Sequence, residues 1–460
     1  MLKISGFGPK KVKTVWEQMQ IESVGELLYA VNENRLIELK GFGIKTQEDL
    51  KTKLAYFQLS KGQFLYATVE PSAKKILAHL EQTLGNCKVA FTGAIRRACP
   101  TLDKIELLVA GITPEELTEQ FEGVAAVADK GVLKVELEGS IPLWIYCCQT
   151  EEWGSKQFRY TAAPAFMDAF LQAYSAIDFR GEAEEAAVFE KVGLAQLPAE
   201  LMEEEWGLSL AQEGNIPELI EAKDVVGVIH SHTTYSDGIH NLEEMTSYAY
   251  EQGYKYIGIT DHSKAAFYAN GLSAERVLEQ MKAIDKLNEG YTDFKIFKGI
   301  ESDILADGSL DYEEDVLKLF DFTIASIHSN LRMDETKATA RLLKAIENPY
   351  TSILGHPTGR LLLSRPGYPI DHRKIIDACA ANGVAIELNA SPYRLDLDWT
   401  WIPYALEKGV WISINPDAHS QQGIHDIYFG TFAARKGGLT KAQCLNALSA
   451  EDFFQRVHKW

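Results

Sequence analysis

Six cysteines in 460 residues (Cys87, Cys99, Cys147, Cys148, Cys379, Cys444) include no CxxC pair, which excludes a disulfide scaffold and a cysteine-based zinc knuckle. They read as core filler in a reducing compartment. No apolar run approaches the ~20 residues that span a bilayer, and the opening MLKISGFGPKK lacks the apolar centre of a secretory signal. Both absences point to the cytoplasm and to no membrane partner. Basic excess is missing too: 46 Lys and Arg stand against 65 Asp and Glu, a formal net charge of −19. Phosphate affinity rests mostly on Lys and Arg, so a broad nucleic-acid-coating surface is excluded and any DNA contact must be local.

What is present is the composition of an ordinary globular protein, 46% hydrophobic and 24% charged, long enough for about two to four domains. Charge is uneven. Residues 1–60 carry nine Lys and Arg against seven Asp and Glu, whereas 181–224 is dominated by Glu. The basic end holds two related passages, ISGFGPKKV around Gly6, Gly8, Lys10 and Lys11, and LKGFGIK around Gly41, Gly43 and Lys45. In each, glycines permit a tight turn ahead of a helical stretch, leaving backbone N–H groups free to bind phosphate without reading bases. The passages resemble the helix-hairpin-helix motifs of DNA repair proteins, which makes residues 1–60 the expected DNA contact.

From about 62 to 149 the pattern predicts a helix over 71–84, a strand over 87–93 and two further strands over 104–110 and 141–148. This region resembles the nucleotidyltransferase-like palm of family X DNA polymerases, where three carboxylates hold two metal ions. The matching positions are Gly93-Ala94, Lys104-Ile-Glu106 and Trp144. A lysine where a cation must sit and a tryptophan with no ligand atom predict a degenerate polymerase site on a retained fold. Residues 151–222 resemble the family's thumb, followed by an acidic connection from Glu203 to Glu221 that reads as a solvated linker. Within these residues the resemblance starts at the fingers-type hairpin rather than at the family's small lyase-type domain.

The stretch 225–238, VVGVIHSHTTYSDG, ends an apolar run in His230 and His232 and sets Asp237 in the following turn. Residues i and i+2 of a strand share a face, so both imidazoles can aim at one ion, although two polar residues on a wet face have the same spacing. Six more apolar runs follow, at 256–259, 295–300, 322–326, 352–354, 384–388 and 411–414, separated by helical patterns at 242–252, 274–287, 337–346, 373–382 and 403–408. Alternation of this kind predicts a β/α barrel whose chemistry gathers at the carboxyl ends of its strands. Metal-type donors sit there: His230, His232 and Asp237, then Asp261-His262, Glu301, His328, His356, and Asp417 with His419. The sixth run offers Glu387 and Asn389, suited to orienting neighbours.

Together HSHTTYSDG, ITDHS, GIESDILADGSLDY, ASIHS, GHPTGR and NPDAHS resemble the polymerase-and-histidinol-phosphatase (PHP) superfamily, in the form appended to bacterial family X polymerases. The resemblance implies a multidomain α/β chain: helix-hairpin-helix 1–60, degenerate palm 61–150, thumb and linker 151–222, and a distorted seven-stranded (β/α) PHP barrel 223–460. It further implies that His230, His232, Glu301 and Asp417 hold one metal, Glu301, His328 and His356 a second, and Asp237, His262 and His419 a third. Mixed His and carboxylate donors suit zinc, manganese or iron alike. Glu301, Asp417 and His419 are then the expected catalytic centre of a metal-dependent phosphodiesterase, with Lys264, Arg360 and Arg394 as phosphate grips or as structural ion pairs. A 3′-5′ exonuclease acting on single-stranded, gapped or 3′ ends of DNA is the leading expectation. A histidinol-phosphatase-type enzyme and a non-catalytic DNA scaffold are the alternatives.

Overall fold

Two short turns set up the N-terminal region. Gly6 and Gly41 adopt φ of +73° and +94°, a left-handed backbone that costs an L-residue about 1–2 kcal/mol. In each turn a phenylalanine N–H reaches back three residues, Phe7 to Ile4 O and Phe42 to Leu39 O. The turns lead into α1 (Pro9–Met19) and, beyond α2 (Val24–Asn32), α3 (Ile44–Leu59). The rings of Phe7 and Phe42 meet edge to face with centroids 6.2 Å apart, so the two hairpins pack as a pair over one small core. The computed structural model describes the chain except for residues 3, 5, 20, 23, 33–35, 37, 38, 40, 60, 122–124 and 137–140, so Ser5 and Lys40 of the hairpin passages lie outside the described residues.

The helix expected over 71–84 runs from Tyr66 to Thr83, with Pro71 inside it rather than at its start. It packs on a five-stranded sheet built of β1 (Lys88–Phe91), β2 (Ile105–Ala110), β3 (Ala125–Asp129), β4 (Val132–Glu136) and β5 (Leu143–Cys148) in the order β1-β2-β5-β4-β3. Only β2 and β5 are parallel. β2 is buried at every position, Glu106 included, and is otherwise apolar. Helices Trp153–Thr161, Pro164–Ala173 and Glu205–Gln212 enclose a third core rich in phenylalanine: Phe158, Phe166, Phe170 and Phe189. The acidic stretch is therefore not simply a linker, although Glu204, Glu205, Glu213, Glu218 and Glu221 do face solvent. Residues 205–212 form a packed helix, and Glu203 is drawn inward by two cations, Arg97 and Lys436.

The C-terminal half is a ring of seven parallel strands in sequential order: β6 (Gly227–Val228), β7 (Tyr256–Ile259), β8 (Lys295–Asp303), β9 (Phe322–Ser326), β10 (Ile353–Leu354), β11 (Ala385–Asn389) and β12 (Ile412–Asn415). They are buried along their length because helices cover the outside. First and last strands do not pair along their length, but the ring nearly closes at both ends. At the carboxyl end, His232 N donates to Ala418 O (2.8 Å) and Ala418 N to His230 O (3.2 Å). At the other, the buried Asn446 amide donates to Gly227 O and Ile414 O while accepting from Ile414 N.

Helix Ile427–Lys436 joins the halves. Tyr428 OH donates to Glu70 Oε1 (2.6 Å), Arg435 Nε to Glu200 Oε1 (2.7 Å), and fully buried Lys436 bonds Glu203 and, at 2.9 Å, Arg97 O. Burial raises the Glu203 pKa, but Lys436 and Arg97 overcome it and hold the carboxyl below the ordinary range. Removing one partner of a buried pair strands the other, so Lys436→Met is expected to cost about 3–5 kcal/mol by denaturant unfolding. In the Lys436→Met/Glu203→Leu double variant the loss should fall short of the sum of the singles. The Glu203 contribution is complete above its unfolded pKa of about 4.3 and fades as pH falls through the lower folded value.

Candidate metal centre

Every donor predicted from the sequence reaches the carboxyl end of the barrel. Glu301 is central and has no exposed surface. It lies within β8, which runs three residues beyond the expected end of that strand, so its carboxylate projects into the ring. Glu301 Oε1 is 3.1 Å from Nε2 of both His328 and His356 and 3.3 Å from His230 Nε2; Oε2 is 2.9 Å from His262 Nδ1 and 3.7 Å from His232 Nε2. Asp417 Oδ1 stands 3.1 Å from His232 Nε2 and 3.4 Å from His230 Nε2. Asp237 Oδ1 stands 3.3 Å from His419 Nε2 and 3.6 Å from His262 Nε2.

Three groups of donor atoms, each within 4.8 Å of one another, could hold an ion: His230, His232 and Asp417; His262, Glu301 and His328; His232, Asp237, His262 and His419. The grouping differs in detail from the resemblance. His262 reaches toward Glu301 as well as Asp237, and His232 stands between two groups. The donor chemistry fits cations. His230 Nε2, His232 Nδ1 and Glu301 Oε2 are buried without a hydrogen bond among the described residues, an arrangement that costs several kcal/mol in total unless an ion takes up those lone pairs.

Electrostatics reports the same crowding. Burial opposes ionisation of Glu301, yet His328, His230 and His262 hold it well below the carboxylate range, and Asp417 is held down likewise by His230 and His232. Burial also opposes charging of His328 and His419, but the carboxylates beside them raise these to about 10 and about 9. His232, buried between His419 and His262, is pushed down to about 3.

A second layer fixes the imidazoles. His230 Nδ1 donates to Glu387 Oε2 (2.7 Å), whose carboxylate also accepts from the side chains of Asn415 (2.8 Å) and Asn389 (3.0 Å). The orienting role expected of Glu387 and Asn389 is thus what their geometry offers. Sequence reading missed two members of this layer: Asn415, and Asp303, which accepts from His328 Nδ1 at 2.6 Å. Asp303 lies two residues after Glu301 on the same strand face, a spacing that was a usable signal. Asp261 proves to be no donor. Its buried carboxylate accepts from Thr233, Ser236 and Gln280, and so pins the loop that carries Asp237.

The three candidate phosphate grips part ways. Arg360 takes the structural role, bonding Arg394 O, Leu395 O and the Asp398 carboxylate. Arg394 reaches the cluster, with Nε 3.8 Å from Asp417 Oδ2. Lys264 is exposed, its ammonium 5.4 Å above the Tyr312 ring.

The palm presents the opposite picture. Glu106 and Trp144 are register partners on β2 and β5. Lys104 Nζ lies 3.8 Å from Glu106 Oε1 and 5.1 Å from the Trp144 ring, with Lys134 Nζ 5.0 Å from the same ring. Gly93, at φ +62°, packs so tightly on Glu106 that a Cβ there would lie 1.9 Å from its carboxylate.

Metal content after loading with Mn²⁺ and gel filtration tests the assignment: Glu301→Gln and Asp417→Asn are expected to retain fewer ions than the unaltered chain. Asp303→Asn, which alters only an imidazole's partner, should keep the number of ions and weaken their binding by about 10–100-fold.

The PHP domain family model matches residues 229–391. A probable phosphatase of Thermoanaerobacter sp. (strain X514) is 29% identical over 228 residues, covering 47% of this chain and 88% of that protein. Among solved structures, the histidinol phosphate phosphatase of Lactococcus lactis, complexed with zinc, L-histidinol and phosphate, aligns with a TM-score of 0.35 at 16% identity over 46% of this chain and 94% of that one. The DNA polymerase/3′-5′ exonuclease PolX of Bacillus subtilis (strain 168) is 34% identical over 477 aligned positions, spanning 98% of this chain and 83% of that protein. The chain belongs to this PolX-type family of bacterial family X DNA polymerases that carry a PHP domain.

Proposed function

We propose that this chain is a metal-dependent phosphodiesterase that shortens DNA from its 3′ end, a 3′-5′ exonuclease of DNA repair, and that its palm no longer polymerises. The observation that carries the reading is a contrast within one chain. Nine donors, Glu301 among them, gather at the barrel mouth, whereas two of the palm's three carboxylate positions hold Lys104 and Trp144.

His230, His232, Asp237, His262, Glu301, His328, His356, Asp417 and His419 would together hold two or three divalent ions, zinc, manganese or iron. Bound there, such ions supply Lewis acidity toward a phosphodiester and a water of lowered pKa. The protein's own groups do the rest. Glu301, Asp417 and His419 set the negative and imidazole-rich lining against which a phosphate is presented. Arg394, beside Asp417, is placed to grip a non-bridging oxygen. Asp237 and His419 are the more exposed members and form the edge nearest solvent. Glu387 and Asp303 keep two imidazoles in one orientation throughout.

DNA as substrate is favoured by the rest of the chain. Gly6, Gly8, Lys10, Lys11, Gly41, Gly43 and Lys45 form paired turns suited to a phosphate backbone, although Lys11 Nζ also reaches Gly6 O at 3.2 Å. Arg332, in the loop that follows His328 at the mouth, pairs with Asp49 of α3 at 2.7 Å. The hairpins thus lie on the mouth side, within reach of one strand. A small-metabolite phosphatase needs only the barrel, and the phosphatase relative covers 47% of this chain. A DNA scaffold without catalysis needs no nine-donor cluster.

The test supplies Mn²⁺ and a 5′-labelled single-stranded or gapped oligonucleotide, with histidinol phosphate hydrolysis and nucleotide incorporation assayed in parallel. Stepwise shortening from the 3′ end is expected, and Asp417→Ala should abolish it. Intact oligonucleotide beside brisk phosphate release from histidinol phosphate would refute the reading. Template-directed extension would refute the loss of polymerisation.

A further inference from the structure

The exonuclease reading gives the phosphate being cut its ions and Arg394, but leaves the next phosphate along the strand without a partner. Arg365 stands on the loop that follows β10, and Arg394 on the loop that follows β11. We propose that Arg365 grips the phosphodiester one linkage upstream of the one being cut, so that the site takes a polynucleotide in preference to a small ester. The inference rests on the exonuclease reading.

Hydrogen bonds tie both loops to the cluster and to each other. Gly359 N donates to His356 O at 3.0 Å, closing a turn that begins at a donor of the cluster, and Arg365 Nη2 donates to Gly359 O at 2.7 Å. The Arg365 guanidinium is thereby held at that turn. Arg365 and Leu361 exchange backbone bonds of 2.8 and 2.9 Å, and Leu362 N donates to Tyr393 O at 2.7 Å, one residue from Arg394. Across the same seam Arg360 Nε donates to Arg394 O at 2.8 Å. Arg394 Nε in turn stands 3.8 Å from Asp417 Oδ2. Burial lowers the Arg365 pKa, and the neighbouring Arg394 charge lowers it further.

The two cations differ in what meets them. Arg394 has Asp417 beside it. Among the described residues Arg365 forms no ion pair, and its side chain donates to a neutral carbonyl. A half-buried guanidinium beside a like charge is unfavourable in the free chain, and a bound anion relieves it. A DNA strand brings one charge per linkage. The donors of the cluster and Arg394 already face the linkage being cut, so the adjoining linkage is the one left for Arg365. A small ester has no second charge of this kind.

The full chain loaded with Mn²⁺ is tested on the trimer d(TpTpT) and on the same trimer with a neutral methylphosphonate at its 5′ linkage, reading release of the 3′ nucleotide. In the unaltered chain the neutral linkage is expected to lower kcat/KM about tenfold, chiefly through KM. Arg365→Gln should bring the two trimers to equality, and Arg365→Lys, which keeps the charge, should restore much of the difference. On oligo-dT, Arg365→Gln should also flatten the slope of log(kcat/KM) against log[salt] by about 0.7, the share of one phosphate contact on a single strand. An unaltered chain that cleaves both trimers equally would overturn the proposal without any variant and leave the exonuclease reading standing. So would an Arg365→Gln chain that keeps the tenfold difference, whether or not it is slower on both trimers, since a uniform loss marks a structural role. An unaltered chain that hydrolyses bis(p-nitrophenyl) phosphate but leaves d(TpTpT) and oligo-dT intact would overturn the exonuclease reading, and the role of Arg365 with it.

Discussion

A carboxylate with no exposed surface, Glu301, is faced by imidazoles from four different strand ends. An isolated buried carboxylate is costly, so the barrel must deliver positive charge to that point from every side. It does so mainly through the carboxyl ends of its strands. Where the ring closes, the constraint reaches the backbone. His230 and Asp417 both adopt left-handed φ, +70° and +52°, which a side chain with Cβ tolerates only when its surroundings fix it. These two residues flank the seam at which His232 and Ala418 join the first strand to the last. Closing the barrel and gathering the donors are therefore one structural event.

The palm meets the same electrostatic demand by covalent means. The carboxylate at the site, Glu106, accepts from Tyr146 OH (2.9 Å) and Ala94 N (3.2 Å), while the Lys104 ammonium stands over Trp144, 3.3 Å from Asp103 and 3.8 Å from Glu106. An ammonium tethered to the chain neutralises the carboxylate without any ion from solution. It also leaves no room, in charge or in ligands, for the divalent pair that polymerisation requires. The fold keeps its packing because β2 and β5 remain apolar along their buried faces, a demand independent of the site at their ends.

Sequence spacing carried much of this. All seven barrel runs recur as strands, because short, mostly apolar segments between helical patterns admit few other arrangements. Donors at run ends were legible for the same reason: a parallel barrel puts its chemistry there. What escaped were pairings between side chains far apart in sequence. The spacing of Asp303 from Glu301 puts it on the right strand face but does not name His328 as its partner, and nothing local marks Arg360 as a brace for the loop at Asp398 or Asp261 as the anchor of the loop at Asp237. Within the acidic run Glu203 alone was misread, because its neutralising partners, Arg97 and Lys436, lie 106 and 233 residues away. Helix 427–436 went unrecognised for a related reason, since its polar residues face inward to other domains rather than outward to water.

The domains are not joined with equal strength. Palm, thumb and barrel meet around buried Lys436 and its partners, where breaking one contact exposes an unmatched charge. The hairpins touch the barrel mouth through Arg332 and Asp49, and Arg332 is 62% exposed. An accessible ion pair of this kind contributes about 0–1 kcal/mol and is screened by salt. DNA phosphates would compete for the same arginine. The contact that sets the hairpins beside the cluster is thus weak enough for a bound strand to displace, whereas the junction behind the barrel holds the donors in place. An enzyme that must readmit a shortened strand after each cleavage needs that asymmetry: a rigid cluster and a yielding contact at its entrance.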